Sequence, residues 1–263
     1  MATRQIRFSC AGGQGGISAA LAVVTGALES GCFDASFKGT YSSRVIGGPT
    51  LGDVLINMEK KINYPCTIMG EVEFMISTAN NSFQQYKDGI KIGGLAVIDP
   101  NLVYPNENDR KIIRFIEIPV IQIAVNEVGV VKTQSAIALG IAVKIINLLM
   151  NIKIDEEKAL QSLIGTVRKP SQKVIDANKK AFLFGLKYAE EEYENLLEEE
   201  ATILFVAMKI IGFAVESEVV EEEDAFEAFN IILKHILPKE KEQKEETKTV
   251  WEKIAEGLIE AAK

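Results

Sequence analysis

Four glycines, Gly12, Gly13, Gly15 and Gly16, surround the single amide Gln14 directly after an apolar run that begins at Ile6, and a second apolar run, Ile17 to Leu28, follows at once. That order implies a strand, a sharp turn and a helix start, because glycine turns the backbone without Cβ clashes. A turn of this kind leaves backbone N–H groups at a helix N-terminus, suited to an anion or to the close approach of another backbone. A dinucleotide is the first ligand to test. Its fingerprint wants glycine at i, i+2 and i+5 with an acidic residue closing the second strand. Counted from Gly13, the third place falls on Ser18. Asp34 opens the apolar stretch Phe33 to Phe37, and Lys38, Gly39 and Thr40 stand where a ribose contact belongs. The other reading is a tight strand-to-helix turn with no ligand of its own.

A second candidate is the stretch Lys38 to Thr50, rich in Gly, Ser and Tyr with Pro49 near its end, which reads as a loop. Metal chemistry has little material. Cys10, Cys32 and Cys66 are widely spaced among apolar or small residues, as buried thiols in a reducing compartment are, and no C-x-x-C pair occurs. The only histidine, His235, sits in an amphipathic stretch and reads as a surface or packing residue. These residues predict no zinc or iron–sulfur site within this chain.

The elements that must position these residues follow from periodicity. The 263 residues, 47% hydrophobic, suffice for a full core, and a net charge of −8 without a basic cluster argues against nucleic acid. The start, M-A-T-R-Q-I-R, lacks a secretory pattern, so a cytoplasmic protein is expected. Ala136 to Ile152 and Ala201 to Val215 are short for a bilayer span and carry Lys144 and Lys209, which predicts buried helices and no membrane partner. Strands are predicted at Phe33 to Phe37, within L-G-D-V-L-I-N, V-E-F-M-I-S and G-G-L-A-V-I-D, and at Lys111 to Ile116. Helices are predicted at Asn80 to Tyr86, Ile118 to Asn126, Gln134 to Met150, Asp155 to Ile164 and Ser171 into Glu200. Alternation of this kind predicts an α/β fold, a three-layer α/β/α arrangement on a mostly parallel open sheet, with an all-helical C-terminal extension.

The domain organisation expected is an α/β domain over 1–190, an acidic linker or helix end over 191–200, and a helical extension over 201–263. A-M-K-I-I-G (Ala207 to Gly212) echoes A-V-K-I-I-N (Ala142 to Asn147). Val220 to Phe226 parallels Ile154 to Leu160, and Gly257-Leu258 parallels Gly185-Leu186. The extension is therefore either a partial repeat of 134–190 or a set of amphipathic helices that share the 3.6-residue period.

With these residues in view, the chain resembles the gamma subunit of the 2-oxoacid:ferredoxin (acceptor) oxidoreductases, the family of the pyruvate, 2-oxoglutarate and indolepyruvate enzymes. Ile6 to Gly15 match its opening I-R-x-x-G-x-G-G-Q-G, with Cys10 in place of the first glycine. Its S-Y-G-P-E-x-R-G-G segment falls on Thr40 to Gly48, continued by Asp53-Val-Leu-Ile and Ile62-Asn-Tyr-Pro65. K-x-G-G-L-x-I-x-D appears as Lys91 to Asp99, and the late A-L-G as Ala138-Leu139-Gly140. The resemblance covers about residues 4 to 190 and leaves the extension outside.

The resemblance implies one subunit of a multimeric enzyme that oxidatively decarboxylates a 2-oxoacid with coenzyme A and passes electrons to ferredoxin. On it, the chain does no chemistry alone and binds no cofactor alone. Thiamine diphosphate, its magnesium and the iron–sulfur clusters lie in alpha and beta partner subunits, with a ferredoxin-like delta subunit in some assemblies. Gly12, Gly13, Gln14, Gly15, Tyr41, Arg44, Gly47 and Gly48 are then the residues expected near the shared cofactor cavity, and no catalytic or metal residue is assigned. The family's Glu and Arg fall here on Arg44 and Ile46. A two-residue move along a strand keeps the same face about 7 Å away, so Arg44 either replaces the guanidinium or makes an ordinary surface or subunit-interface ion pair. A stand-alone nucleotide-binding protein or a scaffold on the same fold is the alternative.

Overall fold

A computed structural model describes residues 3–42, 47–216 and 222–236. The described elements run β1 (Arg4–Ala11), α1 (Gly16–Glu29), β2 (Asp34–Tyr41), β3 (Pro49–Asn57), β4 (Val72–Ser77), α2 (Asn80–Tyr86), β5 (Ile90–Ile98), α3 (Glu107–Ile112), β6 (Ile113–Glu117), α4 (Val120–Gln122), α5 (Gln134–Met150), α6 (Glu156–Gly165), α7 (Gln172–Glu216) and α8 (Glu222–Ile236). The chain forms two compact units, Met1–Glu194 and Asn195–Lys263.

In the first unit six strands form one sheet in the order β2-β3-β1-β4-β5-β6. β1, β4, β5 and β6 run parallel, whereas β3 is antiparallel to both β1 and β2. The sheet is mixed because β2 and β3 form a hairpin folded back onto β1.

Strand β1 explains how the two helical layers are held. Its residues alternate with the strand period of two. Ile6, Phe8 and Cys10 are buried on one face, and Gln5, Arg7 and Ser9 are buried on the other. The apolar face meets α1 at close range: a Cβ on Gly52, the cross-strand partner of Phe8, would lie 2.8 Å from Ala20 Cβ. The polar face is satisfied by hydrogen bonds, as buried polar groups must be. Ser9 Oγ donates to Ser82 Oγ of α2 at 3.0 Å, and Gln5 Oε1 accepts from the Ile68 N–H at 2.7 Å. Under α2 lies a core of Met75, Phe83, Ile90, Ala96, Ile98, Val103 and Ile113. On the α1 side, α5 and α6 pack against α1. Each large side chain so buried contributes about 1.5–3 kcal/mol.

The structure corrects three sequence expectations. Lys38 to Thr50 is not a loop throughout: Lys38–Tyr41 and Pro49–Thr50 pair as strand, since the hairpin supplies their backbone partners. The predicted strand Lys111 to Ile116 begins two residues later, because an Asn106–Asp109 capping box starts helix α3 ahead of it. The helix predicted from Ile118 to Asn126 is the short α4 followed by a π-type turn, Ile123–Val128, ended by Gly129 at φ 81°.

Gln134 to Met150 is a helix with those bounds, and the apolar stretch Val131–Met150, long enough to cross a bilayer by length and composition, is mostly buried inside the protein. The acidic run Glu190 to Glu200 lies inside α7. In the second unit Leu204 and Ala225 are buried, while Ile203, Val206, Ile210 and Phe213 are exposed. Gly257 and Leu258 lie outside the described residues.

Candidate functional site

The first crossover, through α1, leads from β1 toward the β3–β2 side, and the crossover through α2 leads from β4 toward β5 and β6. β1 and β4 are parallel neighbours, so the strand order reverses between their carboxyl ends, where open α/β sheets bind ligands. The glycines singled out by sequence, with Gln14 and Tyr41, stand at this edge.

The glycine turn and the hairpin loop meet there directly. The Gly12 N–H donates to the Gly48 carbonyl at 2.8 Å, and the Gly47 N–H donates to the Gly12 carbonyl at 3.2 Å. The hairpin register explains the meeting, because Ala11 pairs with Pro49 and Tyr41 with Thr50, so Ala11, Pro49 and Tyr41 share one end of the sheet. Asn81 Nδ2 donates to the Gly47 carbonyl at 3.2 Å and adds a side-chain tie from α2.

The glycines are needed for two different reasons. Gly13 (φ 97°) and Gly47 (φ 75°) have left-handed backbone, and a Cβ on either would meet nothing within 4 Å. Their backbone faces open space, and both residues are exposed. Gly15 (φ 77°) combines the left-handed conformation with contact, its Cβ falling 2.7 Å from Ser135 Cβ at the start of α5. A Cβ on Gly16 would fall 2.4 Å from Cys10 Sγ. Cys10 therefore fits only against a glycine. Burial pushes its thiol up to about 11, against a smaller lowering by hydrogen bonding to Thr78, and leaves it neutral.

Gln14 lies at the centre. Its Oε1 accepts from the Ala11 N–H at 2.7 Å and from Thr78 Oγ1 at 2.8 Å, and its Nε2 donates to the Thr78 carbonyl at 3.1 Å. A set of hydroxyls continues beneath: Thr50 Oγ1 donates to the Cys10 carbonyl, Ser82 Oγ to the Thr50 carbonyl and Ser77 Oγ to the Ser9 carbonyl. Sequence reasoning missed Thr78, Asn81 and Ser82. The polar run Ser77-Thr78-Ala79-Asn80-Asn81-Ser82 after a predicted strand is the signal that marks them.

The structure brings Gly12, Gly13, Gln14, Gly15, Gly47 and Gly48 together at this edge. Tyr41 stands at the same end and is 71% exposed. Arg44 and Ile46 lie outside the described residues. Asp34 is at the other end of β2, where its Oδ2 accepts from the Ile62 N–H at 2.8 Å, a structural bond far along the strand from the glycine turn.

The edge is shaped differently from a dinucleotide cradle. The Gly12 and Gln14 N–H groups donate to carbonyls of this chain, Gly48 and Ala11. The crevice between β1 and β4 is bridged by the Gln14 carboxamide. Among the described residues no three His, Cys, Asp or Glu side chains come together as a metal site, and the thiols of Cys10 and Cys32 are buried while Cys66 is half-buried.

Residues 5–188 match the profile of the family described as Pyruvate ferredoxin/flavodoxin oxidoreductase. The chain is 24% identical over 188 residues to 2-oxoglutarate synthase subunit KorC of Methanocaldococcus jannaschii, covering 72% of this chain and 95% of that one. Solved structures share the fold, among them the following two. The gamma subunit of keto/oxoacid ferredoxin oxidoreductase from Geobacter sulfurreducens PCA superposes with a TM-score of 0.55 at 23% identity, over 72% of this chain and 99% of its own. 2-Oxoglutarate:ferredoxin oxidoreductase from Magnetococcus marinus, with 2-oxoglutarate, coenzyme A and succinyl-CoA bound, gives a TM-score of 0.62 at 21% identity over 73% of this chain and 32% of that one.

Proposed function

Since the chain belongs to the pyruvate ferredoxin/flavodoxin oxidoreductase family and is homologous to the gamma subunit of multi-subunit 2-oxoacid:ferredoxin oxidoreductases, we propose that it covers a thiamine diphosphate site held by alpha and beta partner subunits in the cytoplasm. The assembled enzyme oxidatively decarboxylates a 2-oxoacid with coenzyme A and passes the electrons to ferredoxin. Thiamine diphosphate supplies the carbanion chemistry in such enzymes, and an enclosure that excludes water protects it.

The observation that carries this reading is the pairing of Gly12 with Gly47 and Gly48, which joins two glycine segments, each presenting one exposed glycine (Gly13 and Gly47), into one rim beside the exposed Tyr41. Two glycine segments kept free of side chains and already bonded to each other suit the close approach of a neighbouring polypeptide better than private capture of a pyrophosphate. In this role Gly12, Gly13, Gly15, Gly47 and Gly48 shape the rim and Tyr41 packs on the partner. Arg44 supplies a cation to the substrate carboxylate or to a subunit interface.

Co-expression with the thiamine- and cluster-bearing subunits tests the proposal. The expected result is a stable complex whose coenzyme A-dependent oxidation of pyruvate, 2-oxoglutarate or indolepyruvate, read by dye or ferredoxin reduction, falls to background when this chain is omitted. Full activity of the partners without it, or a chain that stays monomeric beside them, overturns the assignment. Titration of the isolated chain with NAD, NADP, FAD and ATP is expected to give no saturable binding. Micromolar binding abolished by Gly15→Val would favour the nucleotide-binding alternative.

A further inference from the structure

We infer that Gln14 is a positioning residue that holds the Gly12–Gly48 rim, its carboxamide oxygen closed to any ligand by bonds within the chain, a refinement that rests on the function proposed above. A glutamine in a glycine turn reads from sequence as a ligand contact. Its bonding here points elsewhere. A carboxamide has two acceptor sites and two donor hydrogens, and three of these four are engaged within the chain, by the Ala11 N–H, Thr78 Oγ1 and the Thr78 carbonyl. Both acceptor sites are filled, so the oxygen has none left for a ligand.

The same three bonds define what the side chain does. Its oxygen bonds the Ala11 N–H while the Gln14 N–H donates to the Ala11 carbonyl at 3.1 Å, so Gln14 closes the turn Ala11-Gly12-Gly13-Gln14 on both sides. That closure aims both the N–H and the carbonyl of Gly12 at Gly48 and Gly47. The two bonds to Thr78 tie the turn to the residue that follows β4. Gln14 thereby adds a side-chain link between the carboxyl ends of two parallel strands whose last register pair is Ser9–Ser77 and whose last backbone bond runs from the Thr78 N–H to the Ser9 carbonyl at 3.3 Å.

The chemistry specifies glutamine. Asparagine is one methylene shorter. Glutamate keeps an oxygen for the Ala11 N–H and Thr78 Oγ1, yet when ionised it sets its second oxygen against the Thr78 carbonyl, where a donor is required. A protonated glutamic acid restores that donor. Gln14→Glu should therefore hold the rim when its carboxyl is protonated and release it when ionised.

Amide exchange of the full-length chain, read by NMR at Gly12 and Gly47 and corrected for intrinsic rates, is the test. Gln14→Ala is expected to speed exchange at both amides roughly ten-fold while Leu95 to Ile98 in the core exchange as in the native chain. Gln14→Glu is expected to show a sigmoidal loss of protection as pH rises, absent from the native chain and from Gln14→Ala. Thr78→Val, which removes one of the three bonds, should give an intermediate increase. If Gln14→Ala fails to fold, the acid-to-alkaline profile of Gln14→Glu decides the matter. Native protection at Gly12 and Gly47 in Gln14→Ala, or protection in Gln14→Glu without a pH step, overturns the inference. In the assembled enzyme Gln14→Ala should raise the KM for coenzyme A or the 2-oxoacid about ten-fold with kcat changed less than about two-fold. A larger fall in kcat than rise in KM would assign Gln14 to the reacting centre and overturn its positioning role. Because exchange is read on this chain without partners, failure of assembly counts against the proposed function and leaves the exchange result standing.

Discussion

Arg7 and Asp53 stand directly opposite each other across the β1–β3 pairing, and the Arg7 guanidinium donates to the Asp53 carboxylate through Nε at 2.9 Å and Nη2 at 3.4 Å with both side chains buried. Arg7 also donates to Thr67 Oγ1 and to the Tyr86 carbonyl. Removing Asp53 strands a buried cation, so Asp53→Ala should lower unfolding stability in urea by about 3–5 kcal/mol. The double replacement Arg7→Met with Asp53→Leu removes both charges and should recover most of that loss. A double variant no more stable than Asp53→Ala alone would contradict this account.

Gly140 and Gly185 touch backbone to backbone where α5 crosses α7. A Cβ on Gly140 would lie 2.3 Å from the Phe182 carbonyl oxygen, and one on Gly185 would lie 2.3 Å from the Ile137 carbonyl oxygen. Either glycine-to-alanine change must push the helices apart, with an expected loss of about 1–3 kcal/mol in chemical denaturation. Gly165→Ala, at a helical position with nothing within 4 Å, is the control and should be neutral or stabilising by up to about 1 kcal/mol.

The Ala138-Leu139-Gly140 motif was legible as a pattern, but its reason was not, since close helix contact depends on a residue 45 positions away. The same division runs through the fold. Residues 72–77 and 134–150 were legible as elements because apolar residues dominate them, and 80–86 because Phe83 and Tyr86 stand three residues apart, one helical turn, in an otherwise polar run. Lys38–Tyr41 was hidden because β2 is an edge strand, paired only to β3, and its polar and glycine residues imitate a loop. At the site, the two glycine segments stood out one by one. Their bonding to each other follows from hairpin register, which local sequence does not encode, and Thr78 and Ser82 resemble ordinary turn residues until β4 is placed beside β1.

Gly13 and Gly15 should separate conformational strain from packing. Gly13→Ala meets no neighbour, so its cost is that of a left-handed backbone, about 1–2 kcal/mol. Gly15→Ala carries the same strain plus the Ser135 contact and should be the more destabilising of the two. Adding Ser135→Gly should recover the excess of Gly15→Ala and leave Gly13→Ala unchanged. On the function proposed, Gly13→Ala should still fold and bind its partner subunits more weakly, measurable by titration of the purified components.

Cys10 gives the chain an alkaline limit whose sign is fixed by burial. Its thiol moves from an ordinary 9.0 to about 11 in the folded chain, chiefly because burial disfavours the thiolate. The folded pKa lies above the unfolded one, so the contribution is fully present below pH 9 and is lost as pH rises toward 11. In that window the unfolded chain has released the proton and the folded chain has kept it. The loss is on the order of 2–3 kcal/mol by pH 11. Urea midpoints measured from pH 8 to pH 11 should therefore fall more steeply for the native chain than for Cys10→Ser, whose hydroxyl stays protonated throughout. Parallel slopes for the two proteins would show that Cys10 ionises as readily in the folded chain as in the unfolded one, against its packing on Gly16 and its link to Thr78.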